Sequence, residues 1–390
     1  MRDATAYNPP VEKTAAQEAF DEGMRHFEAG DLRAAAAAFE RALVLAPRFE
    51  RAHYQLGNVR QDEECWSDAE VHFRAALAIT PEHAEAHNNL GVVLQVMAQP
   101  AEAEASYVRA AELKPALSQP YLNLGRLLEQ LGRRADAIDA FRAGLERSAE
   151  PETFRHLLAA LQDEVIAGRA PAEYVRRTFD GFAAQFDRHL VERFDYRVPE
   201  AIAAVLPEVR RFAPASADVL DLGCGTGLSG MALRGIARSL TGVDLAPRML
   251  EQARARGCYG ELSENDLLAW MHASAEDRFD VIVAADVLVY FGALEPVFAE
   301  AARLARAGAL FAFSIEVCEG QDWRLGKSGR YAQSAAYIRR LAAEHGFTVA
   351  IERDQRIRKP LVGLLYVLAR SPVRRERAPN PGGATGDPAP

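Results

Sequence analysis

Four stretches of this chain end in an acid where a ligand could meet it. Asp221 stands within the last residues of the apolar run Val219, Leu220, Leu222, two places before Gly223, with Gly225 and Gly227 following at the same step. Asp244 ends Ser239–Asp244, Asp286 closes Phe279–Asp286 with Tyr290 just beyond it, and Glu316 ends Ala309–Glu316. In open parallel sheets, ligands bind outside the carboxyl ends of the strands. Acids there face a bound molecule, while glycines let the backbone turn sharply and approach it where a Cβ would intrude.

The glycines permit two registers. Gly225, Gly227 and Gly230 match G-x-G-x-x-G, a nicotinamide dinucleotide fingerprint. That register leaves Asp221 and Gly223 inside the incoming strand, where both fit poorly. The other, Asp221-x-Gly223-x-Gly225-x-Gly227, is preferred because the later stretches also fit it.

In this register the chain resembles the class I S-adenosylmethionine-dependent methyltransferases. The resemblance implies that Gly223, Gly225 and Gly227 lie against the methionine part of that cofactor and that Asp221 reaches its amino group. Asp244 follows Gly227 by 17 positions, near the spacing that puts a carboxylate on ribose hydroxyls. Leu245 would flank the adenine. Asp266, with Leu267 beside it, would accept from the adenine amino group, and Glu264 is the alternative. Capping the next helix is the competing reading for Asp244 and Asp266. Asp286 to Tyr290 should line the transfer site, with Asp286 counted among the cofactor contacts. A lid is expected from the aromatic stretch 174–200, where Phe179, Phe182 and Phe186 form a helical stripe; Phe186, His189, Tyr196 and Arg197 are its candidates, with Tyr196 counted among the cofactor contacts. Methyl transfer is displacement at a good leaving group, so positioning and exclusion of water matter most. If the nucleophile carries a proton, Tyr290, His189, Asp286 or Glu316 could take it, with Tyr290 and His189 as the first choices. No metal is expected. His83 and His87 sit four apart, but no third ligand is near, and Cys224 reads as a small filler of the glycine turn.

The elements that must hold these residues follow from the pattern. A Rossmann-like domain over 171–370 is expected, its mostly parallel seven-stranded sheet ending in an antiparallel hairpin, Phe347–Ile357 and Leu361–Ala369. The first helix should run Leu228–Arg238 and the third strand Tyr259–Leu262. Such a closing hairpin suits a methyltransferase rather than a dehydrogenase half.

The N-terminal half repeats. Gly23, Gly57, Gly91 and Gly125 are 34 residues apart, the period of tetratricopeptide repeats. Ala35, Ala69, Ala103 and Ala137 keep the same step, as do Phe39, Phe73, Tyr107 and Phe141, and Pro47, Pro81 and Pro115. We read 16–149 as four such repeats in a helical solenoid, with aromatics filling the gaps between units and proline stopping each second helix. Residues 1–15 form a lead-in, 150–170 a capping helix and hinge, and 371–390 a disordered tail rich in Pro, Gly and Arg. The repeat groove would present Gln55, Asn58, Asn89 and Asn123 to the backbone of a protein or peptide partner. Packing on the second domain or self-association is the competing use.

The formal charge of −9 argues against a general nucleic-acid surface. No apolar run is long enough to span a membrane. Four scattered cysteines suggest no disulfide framework, and a reducing, bacterial cytoplasm is the expected setting, since lysine is scarce beside arginine. The methyl acceptor stays unidentified. The other reading of the function is a repeat scaffold whose methyltransferase-like domain only binds or senses the cofactor.

Overall fold

The computed structural model describes residues 14–162, 168–181, 183 and 186–371. Most of the lead-in, residues 163–167 of the expected hinge, Phe182, and the tail from 372 onward lie outside the described residues, as does the side chain of His189. The chain divides into two compact units, Met1–Gln162 and Asp163–Pro390.

The first unit is a series of helix pairs: α1 (Ala15–Glu28) with α2 (Leu32–Leu45), α3 (Glu50–Asp62) with α4 (Trp66–Ile79), α5 (Ala84–Val96) with α6 (Pro100–Leu113), and α7 (Ser118–Gln130) with α8 (Arg134–Arg147). The periodic glycines have a steric cause. A Cβ at Gly23 would lie 2.5 Å from the Phe39 ring; at Gly57, Gly91 and Gly125 it would lie 2.7, 2.6 and 2.2 Å from Phe73, Tyr107 and Phe141. Each aromatic therefore seats on the glycine of its own pair, which refines the expectation that aromatics fill gaps between units. Pro47, Pro81 and Pro115 stand two residues past the ends of α2, α4 and α6, where a ring that cannot continue the helix is tolerated. A ninth helix, α9 (Pro151–Gln162), closes the series by laying Phe154 on Gly144, with 2.3 Å between that ring and a Cβ placed there.

The second unit is built on a nine-stranded sheet: β1 (Ala217–Leu222), β2 (Ala237–Asp244), β3 (Glu261–Glu264), β4 (Phe279–Ala284), β5 (Ala305–Val317), β6 (Trp323–Leu325), β7 (Tyr331–Gln333), β8 (Phe347–Arg358) and β9 (Leu361–Arg370). The strand order runs β3-β2-β1-β4-β5, all parallel, and β9 then pairs antiparallel with β5 and β8 with β9. These are the seven strands and closing hairpin expected. The other two, β6 and β7, form a small ribbon within the segment after β5 that the sequence shows only as a loop, and β7 pairs with the end of β5.

β1 is central because its side chains alternate between two buried cores. Leu220 and Leu222 join Phe279, Phe298, Phe311 and Tyr337 on one face, while Val219 joins Ile202, Leu206, Val281 and Leu310 on the other. Two boundaries move. The helix after the glycine turn stops at Leu233, ahead of Gly235, and β2 already begins at Ala237, so the expected helix to Arg238 is too long. The third strand is Glu261–Glu264 rather than Tyr259–Leu262, which frees Tyr259 from the sheet.

Candidate functional site

A cavity of about 430 Å³ opens at the carboxyl ends of β1, β2 and β4. The glycine turn forms one side. Gly223, Gly225 and Gly227 have φ of 64°, 54° and 91°, a region that L-residues avoid. A Cβ at Gly223 would strike Val287 at 2.5 Å, whereas at Gly225 it meets nothing within 4 Å and projects into open space. Gly223 and Gly225 line the cavity; Gly227, at the start of the following helix, does not.

Asp221 sits beneath this turn, 1% exposed, and is not part of the cavity wall. Tyr259 donates its phenol proton to Asp221 Oδ2 at 2.6 Å and accepts from the Gly230 N–H at 3.2 Å. Asp221 Oδ1 is buried and has no hydrogen-bond partner. Burial, reinforced by the charge of Asp244, pushes the Asp221 carboxyl up to about 7, against the lowering effect of the Tyr259 bond. Burial likewise pushes the phenol of Tyr259 far above its ordinary value. Cys224, in the same turn, is buried and its thiol is held far up for the same reason, as befits a filler.

Asp244 lines the cavity with Leu245. Its Oδ2 accepts from the Gly225 N–H at 2.8 Å and its Oδ1 from the Ala246 N–H at 2.9 Å. The carboxylate thus braces the glycine turn and the approach to the next helix together. Burial nonetheless raises its pKa. Asp266 and Leu267 are also in the wall. Asp266 caps the helix Leu267–Ala273, accepting from Ala269 N–H at 3.1 Å, while its other oxygen takes Arg169 at 2.5 Å. The capping alternative is therefore realised at Asp266, together with an ion pair to Arg169 of the expected hinge. Glu264 lies outside the wall.

The opposite wall is aromatic and carries the lid: Phe179, Phe186, Phe194, Tyr196, Tyr290 and Phe291. Ala170 N–H donates to Tyr290 O and Gly292 N–H to Gly168 O, both at 2.8 Å, so the lid begins as a short ladder on the loop after β4. Further along, Asp187 accepts from Thr226 Oγ1 at 2.5 Å and pairs with Arg256, clasping the glycine turn. Tyr196 is buried, with its hydroxyl 3.4 Å from Ala285 O, and burial drives its pKa far up. Of the other lid candidates, Arg197 pairs with Asp195 and Glu200 and is not in the wall. His189 belongs to the turn Arg188–Arg193, and its side chain is outside the described residues.

Arg330, which sequence reasoning passed over, organises the far end. The β6–β7 ribbon carries it in, 7% exposed. It pairs with Asp286, donates to Glu316 at 2.6 Å and to the Tyr290 hydroxyl at 3.3 Å, and its guanidinium lies 5.5 Å from the Tyr290 ring centre. Burial opposes its charge, but the two carboxylates outweigh that and hold it protonated. Asp286 reaches it from a left-handed φ of 59°, its N–H on Ser314 Oγ at 3.0 Å. Burial pushes Tyr290 up to about 12 even with Arg330 alongside. Glu316 touches Arg330 but not the cavity.

In the repeat unit the amides bond to one another. Asn58 donates to Gln55 at 3.1 Å, Asn89 to Asn58 at 2.9 Å, Asn88 to Asn89 at 3.1 Å, Asn123 to Asn88 at 3.0 Å and Gln119 to Asn123 at 3.0 Å. They form one chain across α3, α5 and α7. Among the described residues, no group of His, Cys, Asp and Glu could hold a metal ion, and no helix is long and apolar enough to cross a membrane.

Residues 219–308 match the model of a methyltransferase domain, and residues 118–151 match a tetratricopeptide repeat. The chain is 36% identical over 111 residues to methyltransferase-like protein 27 of Homo sapiens, covering 28% of this chain and 45% of that one. It is 30% identical over 165 residues to a demethylmenaquinone methyltransferase of Tropheryma whipplei, covering 40% of this chain and 63% of the relative. It thus spans less than two thirds of either. A solved magnesium protoporphyrin IX methyltransferase from Synechocystis PCC 6803, with bound SAH, aligns with a TM-score of 0.41 at 17% identity, covering 51% of this chain and 99% of that one. The chain carries a methyltransferase domain, matched over residues 219–308, and a tetratricopeptide repeat, matched over residues 118–151.

Proposed function

We propose that this protein transfers the methyl group of S-adenosylmethionine to an acceptor held against the aromatic wall, while the repeats engage a protein partner. The observation that carries the reading is the orphaned Oδ1 of Asp221 beneath an open glycine turn. A buried carboxylate oxygen without a donor is costly, and a cationic ligand seated on Gly223 and Gly225 relieves that cost directly or through water. Asp244 and Leu245 would hold the ribose and adenine, with Asp266 and Leu267 beside them; Gly227 shapes the turn without touching the ligand. Asp286 and Tyr196, expected as cofactor contacts, line the same cavity.

When bound, the cofactor supplies an electrophilic methyl group on a positively charged sulfur. The protein contributes orientation and dryness. Tyr290 accepts from Arg330 and keeps its own proton, so at neutral pH it donates to an oxygen of the acceptor. That makes it a positioning donor, not the base first expected. Asp286 is the wall residue available to take a proton from the nucleophile, and His189 stays a candidate from sequence alone. The amide chain retains spare N–H and C=O capacity for an extended peptide backbone, the role proposed for Gln55, Asn58, Asn89 and Asn123. Four free cysteines fit a reducing bacterial cytoplasm.

The test is transfer of a radiolabelled methyl group from S-adenosylmethionine into cell extract, separated into protein, lipid and small-molecule fractions. Label in one fraction with the natural chain, and none with Asp221→Ala, supports the reading. No label in any fraction from folded, cofactor-binding protein contradicts it and favours a cofactor-sensing scaffold.

A further inference from the structure

Three arginines line the cavity, and only two have anions. Arg169 is held by Asp266, and Arg330 by Asp286 and Glu316. Arg358, the last residue of β8, is partly buried in the wall; its backbone pairs with Leu361 across the hairpin, but its guanidinium has no ion pair or hydrogen bond among the described residues. The acid of the neighbouring lid does not serve it, because Asp195 is engaged by Arg197, Arg356 and Lys359. The backbone beside it is fixed, with Lys359 N–H on Phe194 O at 2.8 Å. The same cavity is lined by Leu190, Phe194, Tyr196 and Tyr290, and the charge of Arg358 is felt at the Tyr290 phenol. A guanidinium that is partly buried in a cavity wall and has no anion beside it is free to complete an ion pair with an anionic ligand.

We propose that Arg358 is the anion-binding end of the acceptor subsite, and that the methyl acceptor is a small molecule with a flat apolar body and a carboxylate. Resting on the methyl-transfer reading above, this assigns the substrate class. The aromatic wall takes the flat body, the planar fork of Arg358 takes the carboxylate bidentately, and the Tyr290 hydroxyl meets an oxygen between them. The cofactor's own carboxylate is the other possible source of the anion. Strand order argues against it: the glycine turn and Asp244 follow β1 and β2, whereas Arg358 ends β8, beyond β4, β5 and β9.

The experiment uses the full chain loaded with S-adenosylhomocysteine and two isosteric probes, 2-naphthoate and the neutral 2-naphthamide, titrated by calorimetry. Naphthoate is expected to bind at one saturable site more tightly than the amide. Arg358→Gln should weaken naphthoate by about tenfold, the scale of one charge-assisted contact, and Arg358→Lys by less. Affinities for naphthamide and S-adenosylhomocysteine should stay unchanged, which also shows that the variants fold. The proposal is overturned if naphthoate does not bind the loaded protein or if both probes respond alike. It is equally overturned if Arg358→Gln weakens S-adenosylhomocysteine instead, since the cofactor's carboxylate is then the anion. Failure of the natural chain to bind S-adenosylhomocysteine at all strikes the methyl-transfer reading itself and is seen before any probe is added.

Discussion

The phenol of Tyr259 lies 2.6 Å from one oxygen of Asp221, leaving the other oxygen buried without a donor. One half of this carboxylate is fixed by the protein and the other half has no partner. Its proton is therefore in play near neutral pH.

Folded Asp221 holds its proton up to about pH 7, whereas an unfolded aspartate releases it near pH 4, roughly. Between those values the folded state binds more protons, so stability falls as pH rises. Asp221→Asn should remove that slope, melting higher than the natural chain at pH 8 while binding S-adenosylhomocysteine at least about tenfold more weakly, the loss expected of one contact with a charged group. Thermal melts from pH 4 to 8 check the first part and calorimetry the second.

Because a cationic cofactor favours the charged carboxylate, S-adenosylmethionine binding near pH 6.5, roughly half a unit below that pKa, should release a fraction of a proton. Titrations in buffers of different ionisation enthalpy read that fraction directly. It should vanish in Asp221→Asn and persist in Asp286→Asn.

Arg330→Gln leaves Asp286 and Glu316 half-buried without the buried cation that pairs both. The expected loss is about 3–5 kcal/mol of stability, the scale for breaking a buried pair. Arg358→Gln removes a charge that has no partner and should leave stability within about 0.5 kcal/mol or raise it. Denaturant unfolding of the two variants side by side checks the contrast.

Gly91→Ala places a Cβ 2.6 Å from the Tyr107 ring. Overpacking of this kind costs about 1–3 kcal/mol, so the helical melting transition should fall by several degrees. At Gly225 the added methyl meets nothing, and Gly225→Ala should carry only the strain of its left-handed backbone, about 1–2 kcal/mol, while weakening S-adenosylhomocysteine binding.

Much of the architecture was readable from spacing because spacing has steric causes. The 34-residue step is a glycine beneath an aromatic ring, four times over. The alternation around β1 is two cores sharing one strand. The cavity was legible only in part. Asp244, Leu245, Asp286 and Tyr290 stand at strand ends and could be placed from the register. Tyr259 could not, since its value lies in meeting Asp221 across 38 positions, and a shift of two residues in β3 moved it out of the sheet. Arg330 and Arg358 were hidden for a related reason. One arrives in the turn between two three-residue strands too short to show periodicity, and the other looks like one more cation in a basic hairpin until its partners are counted.

The most direct test of the account is calorimetric titration of S-adenosylhomocysteine into the full chain and into Asp244→Ala. One saturable site in the natural chain, weakened at least about tenfold by the loss of a charged hydrogen-bond partner in a variant that still melts cooperatively, is the predicted result. Folded natural protein that takes up no S-adenosylhomocysteine, or an Asp244→Ala variant that binds it equally well, would contradict the account.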